Sequence, residues 1–266
     1  MFNWTLYQRG MKGSLRMLLI FAMVISLYVS VIISMYDPQL MATLDGFAEA
    51  MPELMAAVGM KSGATSLLGF MISYLYGFIL LIFPMVFSIL CGNSLIAKYV
   101  DRGSMVTLLA APVKRCTVAF TQLLVLISGI LLLVLYSTVL EGICAQRAFP
   151  GELNGKELLM LNGGLLCIHL FIGGICFLAS CVCSDTKYSI GFGAGIPALM
   201  YVLQMLANVG GNADKVKYLT FFTLFNPEGI AAKQGDAVCG VAVLFIGAVI
   251  LYMLGIIVFS RKDLSI

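Results

Sequence analysis

Residues 116–140 read CTVAFTQLLVLISGILLLVLYSTVL, with no Asp, Glu, Lys or Arg among them. A helix of this length exceeds the roughly 20 residues needed to cross about 30 Å of hydrocarbon. The run is continuously apolar. A barrel strand would alternate over about ten residues, so helix is the better reading. Five more uncharged runs flank it, at 17–36, 62–97, 158–184, 188–213 and 237–260. Every charged side chain falls between these runs. Insertion of a charge at mid-bilayer costs about 2.5–3.5 kcal/mol, which gives that partition a physical cause.

Composition agrees. The chain is 61% hydrophobic and 11% charged, whereas soluble domains carry about 25% charged residues. The net charge of +3 is too small to argue for nucleic acid. Cys91, Cys167, Cys176 and Cys181 lie within apolar runs and read as small hydrophobes. No cleavable signal is evident, so the first apolar run is taken as a retained span. With no linker or internal repeat, residues 1–266 form a single membrane domain. The expected fold class is all-α and integral to the membrane. Its six transmembrane helices lie near 17–36, 66–92, 116–140, 158–182, 188–209 and 237–259.

Six spans put both termini on one side. The segments on that side hold ten of the 16 Lys and Arg residues and three of the 13 acids. The positive-inside rule then places both termini in the cytoplasm. In the first outer loop Leu40, Leu44, Phe47, Met51, Leu54 and Val58 recur at helical spacing. Asp37 and Pro38 suit its start, Pro52 restarts it as a second short helix, and Gly59 ends it. This helical outer loop is either a lid or a cover for the span ends. Between spans two and three, AKYVDRGSMVTLLAAPVKR (97–115) sets Lys98, Asp101 and Arg102 on one face. Apolar residues occupy the other, the pattern of an amphipathic helix at the cytoplasmic interface. Pro112 stops it.

The chemistry is sparse. One histidine, His169, lies in the fourth span, and no paired carboxylates fall within any span. An ion-coupled transporter usually carries ionisable groups in the membrane, and His169 is the one such group expected here. It is read as a hydrogen bond to a neighbouring helix or as a proton relay. No phosphate-binding Gly-x-x-x-x-Gly-Lys-Ser/Thr loop is present, so uphill transport would draw its energy from another polypeptide. Two polar stripes stand out: Ser73, Gly77, Pro84 and Ser88 in the second span, and Tyr201, Gln204 and Asn208 in the fifth. Polar groups in lipid must face protein or water. Each stripe is therefore either interhelical glue or the lining of a translocation path.

The 97–115 run, preceded by Gly92-Asn93-Ser94-Leu95-Ile96, resembles the segment after the second span of the ATP-binding-cassette type-2 permeases. The matching positions are Asp101, Arg102, Gly103, Ser104, Leu108, Leu109, Pro112, Val113 and Arg115. LTFFTLFNPEGI (219–230) and Phe259-Ser260-Arg261-Lys262-Asp263-Leu264 resemble the family's C-terminal end. Tyr99 departs from it, standing where many members have Glu. The resemblance implies a half-transporter of the cell (plasma) membrane, not itself an enzyme and with no cofactor of its own. A second permease copy or paralogue would complete the dimer, and a separate cytoplasmic ATPase would bind ATP and Mg. Lys98, the matched positions other than Val113, and Asp185 in the 183–188 turn would face that ATPase. Segment 218–232 would be partly re-entrant, and the substrate path would run between the permeases, lined by spans two and five. Alternating access would export an amphipathic or hydrophobic cargo such as a peptide antibiotic, drug or lipid-like molecule. The alternatives are a non-transporting scaffold or sensor, or an ATP-independent carrier.

Overall fold

A computed structural model describes residues 2–37, 46, 50–60, 66–101 and 114–262. Their regular structure is all helical, and six of the helices are long and apolar enough to cross a membrane. The chain is thus a multi-pass membrane protein in architecture. Among the described residues there is no strand.

Helix α1 spans Trp4–Ser34, its N-terminus capped by Asn3, whose side chain accepts from the Leu6 amide. It starts well before the apolar run at 17, because a helix need not stop where hydrocarbon ends. A short helix α2, Pro52–Ala57, has Pro52 in its first turn; Gly59 follows at φ 77°. Of the outer-loop pattern, Leu40, Leu44 and Phe47 lie outside the described residues. The second crossing, α3, joins three stretches: Leu67–Met71 (α), Ile72–Ile79 (π) and Leu80–Leu95 (α). It breaks at Ile96, and α4 covers Ala97–Asp101. The remainder of the expected amphipathic helix lies outside the described residues.

Helix α5 runs Arg115–Ala148, α6 Gly155–Val182 and α7 Thr186–Val209. Asn154 caps α6 and Asp185 caps α7, each side chain accepting a backbone N–H. Two 3-10 stretches, Gly211–Leu219 and Phe221–Leu224, lead to α8, Pro227–Ala231, capped by Asn226 with Pro227 in its first turn. Helix α9, Gly235–Arg261, closes the bundle.

The helix α6 is the hub, packing against α3, α5, α7 and α9. Its neighbours α7 and α9, together with α1, turn large apolar side chains outward, among them Met23, Leu27, Phe192, Leu199, Ile246 and Met253. In water such a surface would aggregate; in a bilayer it is the solvent-matched face.

The segment after α7 turns back into the bundle. Thr220 donates its hydroxyl to the Met200 carbonyl, roughly 14 Å below the end of α7 at 1.5 Å per residue. The Phe221 ring lies 5.0 Å from that of Phe171 on α6, and Phe222, Phe225 and Ile230 are buried. Gly240 on α9 admits the Leu224 carbonyl, where a Cβ would collide. Non-helical backbone at this depth is tolerable because protein surrounds it.

Candidate functional site

A cavity of about 420 Å³ opens at the end of the bundle away from the termini. Its walls come from four elements. The end of α2 supplies Ala56, Ala57 and Gly59, and α3 supplies Ile72, Tyr76, Gly77 and Leu81. From α7 come Tyr201, Gln204, Met205 and Asn208. The folded-back segment adds Phe222, Thr223 and residues 225–228. The cap rests on backbone. A Cβ on Gly77 would stand 3.0 Å from the carbonyl oxygens of both Val58 and Gly59. Asn208 donates to the Ala57 carbonyl at 3.4 Å, and Tyr201 to the Gly77 carbonyl at 3.4 Å. Gln204 donates to Asn208 and accepts from Thr223. The lining is mostly apolar and aromatic, with the amides of Gln204, Asn208 and Asn226; among the described residues Glu228 is the one charged side chain on it.

Four positions of the two polar stripes therefore meet around one space: Gly77, Tyr201, Gln204 and Asn208. The other three do not. Ser73 is buried elsewhere on α3, and Ser88 spends its hydroxyl on the Pro84 carbonyl at 2.9 Å.

Pro84 has a further consequence. Lacking an N–H, it cannot donate to the carbonyl four residues back, that of Leu80. His169 on α6 meets that oxygen through Nε2 at 2.8 Å. Nε2 must carry the proton, because a carbonyl only accepts. Pro197 repeats the arrangement in α7. It leaves the Gly193 carbonyl without its usual donor, and the Cys176 thiol of α6 donates there at 3.2 Å. His169 and Cys176 are two turns apart on α6. One helix thus supplies the missing donors to both proline-interrupted crossings. The interhelical reading of His169 matches this geometry.

The expectation that His169 alone is ionisable inside the bundle is overturned. α5 does not end with its apolar run; it continues to Ala148 and carries Glu141 wholly buried. Oε2 of Glu141 accepts the Tyr76 hydroxyl at 2.6 Å and Asn162 Nδ2 at 3.0 Å. The same amide nitrogen lies 2.7 Å from the Tyr76 oxygen. Glu141 Oε1 and Asn162 Oδ1 are buried without a partner. A signal for this pairing exists in the sequence. α5 and α6 are antiparallel neighbours joined by a short loop. Glu141 precedes the end of α5 by as many residues as Asn162 follows the start of α6. Both therefore sit roughly 10 Å below the loop. Tyr76 belongs to both settings, on the cavity wall and on the carboxylate.

At the opposite end, where the termini lie, several residues expected to face an ATPase have partners within the chain. Asp101 accepts from the Thr186 hydroxyl at 2.9 Å, and Asp185 caps α7 through the Lys187 amide. Asn93 accepts from Ser189, and the Ala97 amide donates to Ser180. These contacts join α4 and the end of α3 to the turn between α6 and α7. Arg115 donates to the Lys262 carbonyl at 2.6 Å. The Lys262 ammonium donates to the carbonyls of Cys181 and Val182, at the C-terminal end of α6. That is where a cation complements unpaired helix carbonyls. Partial burial lowers the pKa of Lys262, opposed by nearby cysteine thiols. Lys98 is on α4. Arg102, Gly103, Ser104, Leu108, Leu109 and Pro112 lie outside the described residues.

All eight cysteines are free. Among the described residues no three His, Cys, Asp or Glu side chains gather as a metal site. No protein-family model matches the chain, and no curated protein matches it significantly.

Proposed function

We propose that this chain is the membrane-spanning permease subunit of an ATP-binding-cassette exporter for an amphipathic or hydrophobic cargo. Both termini lie in the cytoplasm in this reading, and a second permease completes the pore in the plasma membrane. A separate ATPase docks on α4 and on the turn between α6 and α7. The observation that carries it is the cavity between the second and fifth crossings. It is mostly apolar and aromatic, with the few convergent polar groups of a ligand site, and four stripe residues reach it. Cargo occupies that cavity, and rocking of the crossings, driven through α4, exposes it outward. The contact of Asp101 with Thr186 would let α4 and the α6–α7 turn move together.

The test is affinity capture of the tagged chain from its native membrane, followed by ATP-driven uptake of labelled lipophilic dyes into inverted vesicles. Tyr201→Ala and Gln204→Ala should lower uptake several-fold while the protein still inserts. Uptake that needs no ATPase and ignores both substitutions would end this reading. The burial of Glu141 favours a second one, an ATP-independent carrier coupled to an ion gradient. Uptake that follows an imposed proton gradient without ATP would select it.

A further inference from the structure

The Glu141, Asn162 and Tyr76 cluster has a surplus of acceptors. Two neutral donors converge on Glu141 Oε2, while Glu141 Oε1 and Asn162 Oδ1 have none. Glu141 is 0% exposed and Asn162 3%. Among the described residues no Lys, Arg or His meets the carboxylate. A buried carboxylate without a counter-cation costs several kcal/mol to keep ionised. A proton on Oε1 would remove that charge. A cation bearing several N–H groups would satisfy both orphaned oxygens and the charge together.

Tyr76 stands between the cavity and the carboxylate. It borders the cavity with its side chain wholly buried, donates to the carboxylate, and lies in the π-helical stretch Ile72–Ile79. Such stretches recur at functional sites because they break the regular hydrogen-bond ladder. Tyr201, Phe222 and Phe225 also border the cavity, and among the described residues no basic side chain does. Ring faces attract cations.

We infer that Glu141 and Asn162 are a subsite for the ammonium group of an amphipathic amine, which enters from the cavity past Tyr76 and exchanges for the proton on Glu141. The inference rests on the cavity being a cargo site. In the exchange Glu141–COOH and R–NH3+ become the ion pair Glu141–COO−·R–NH3+ and one H+ leaves; no carbon bond changes. The ammonium displaces the Tyr76 hydroxyl and donates to the carboxylate and to Asn162 Oδ1. The groups packed around Glu141 leave it in control of that proton. α3 contributes Tyr76 and α6 contributes Asn162 and Leu158. His169 lies two turns deeper, held on the Leu80 carbonyl. On α5 itself Cys144 faces Ser30 of α1, and Tyr36 packs on Phe149 nearer the loop.

Octylammonium and octan-1-ol test it, with full-length protein in nanodiscs. Wild type should bind the amine at least tenfold more tightly than the alcohol and release one proton per amine bound. Amine affinity should rise about tenfold per pH unit while Glu141 holds its proton. Glu141→Gln should lose at least tenfold for the amine and keep its affinity for octanol. Tyr76→Phe, which removes only the competing hydroxyl, should bind the amine at least as tightly, and this variant decides the matter if Glu141→Gln does not fold. Amine binding without proton release, unchanged by Glu141→Gln, or lost in Tyr76→Phe overturns the inference. If both probes bind equally and both weaken in Tyr201→Ala, the cargo cavity stands and the ammonium subsite falls. If neither probe binds, both readings fall.

Discussion

Replacing His169 with Phe keeps an aromatic ring in place and deletes the donor to the Leu80 carbonyl. That oxygen is then buried opposite Pro84 with nothing to accept from. An unsatisfied buried carbonyl costs about 1–3 kcal/mol. Interhelical hydrogen bonds in membrane proteins average only about 0.6 kcal/mol, with a maximum near 1.7. The expected loss is therefore about 1–2 kcal/mol. For a protein of this size that lowers Tm by roughly 2–8 °C. The decisive variant is the double substitution His169→Phe with Pro84→Ala. Removing the proline restores an N–H four residues after Leu80, so the carbonyl regains a partner within its own helix. The double variant should recover about 1 kcal/mol relative to the sum of the single changes. His169→Gln, which keeps a donor, should lose less than the Phe variant. Thermal unfolding in detergent, followed by a fluorogenic thiol reagent on buried Cys91, Cys176 and Cys181, reads every variant against wild type. If the two single effects simply add, within about 0.5 kcal/mol, the proline and the histidine are not coupled and the reasoning is wrong.

Gly240→Val should dislodge the folded-back segment, because its side chain must occupy the space of the Leu224 carbonyl; a loss of about 1–3 kcal/mol is expected, with faster proteolysis between 211 and 231. Gly77→Leu should lift α2 from α3 and change cavity ligand affinity at least tenfold, measured by equilibrium binding, while the crossings stay inserted. Lys262→Met should remove an alkaline stability gradient. Since burial lowers the Lys262 pKa, the unfolded chain binds more protons just below the ordinary lysine value of about 10.4. Wild-type stability therefore rises with pH there, and a pH series of Tm would show that slope lost in the variant.

The crossings were legible because lipid imposes a single requirement, about 20 uncharged residues, and 116–140 and its five counterparts meet it openly. Helix ends were less so. α1 and α5 extend past their apolar runs, since helical hydrogen bonding continues into the interface wherever a cap or neighbour supports it. Of the site, Gly77, Tyr201, Gln204 and Asn208 could be found by helical spacing alone. Spacing cannot say which neighbour a face meets, so Ser73 and Ser88 share the stripe's register although neither lines the cavity. Glu141 was hidden by treating the end of an apolar run as the end of a span. Matching residues across the short α5–α6 loop would have paired it with Asn162. Tyr76 needed the π-helical stretch, whose changed pitch no α-helical pattern anticipates. The folded-back rings of Phe222 and Phe225 could not be given a place from periodicity, because the 3-10 stretch Phe221–Leu224 is too short to show its three-residue repeat.

That α6 donates to a carbonyl in each of the proline-interrupted crossings constrains how the space between those crossings can change. Leu80 and Gly193 are held to a common column, so whichever of α3 and α7 leaves α6 at those levels strips its own acceptor. The coverings, the short helix seated on Gly77 and the folded-back segment beside Gly240, are not tied to that column. Rocking would then pivot about α6, and the coverings would lift over it like a hatch.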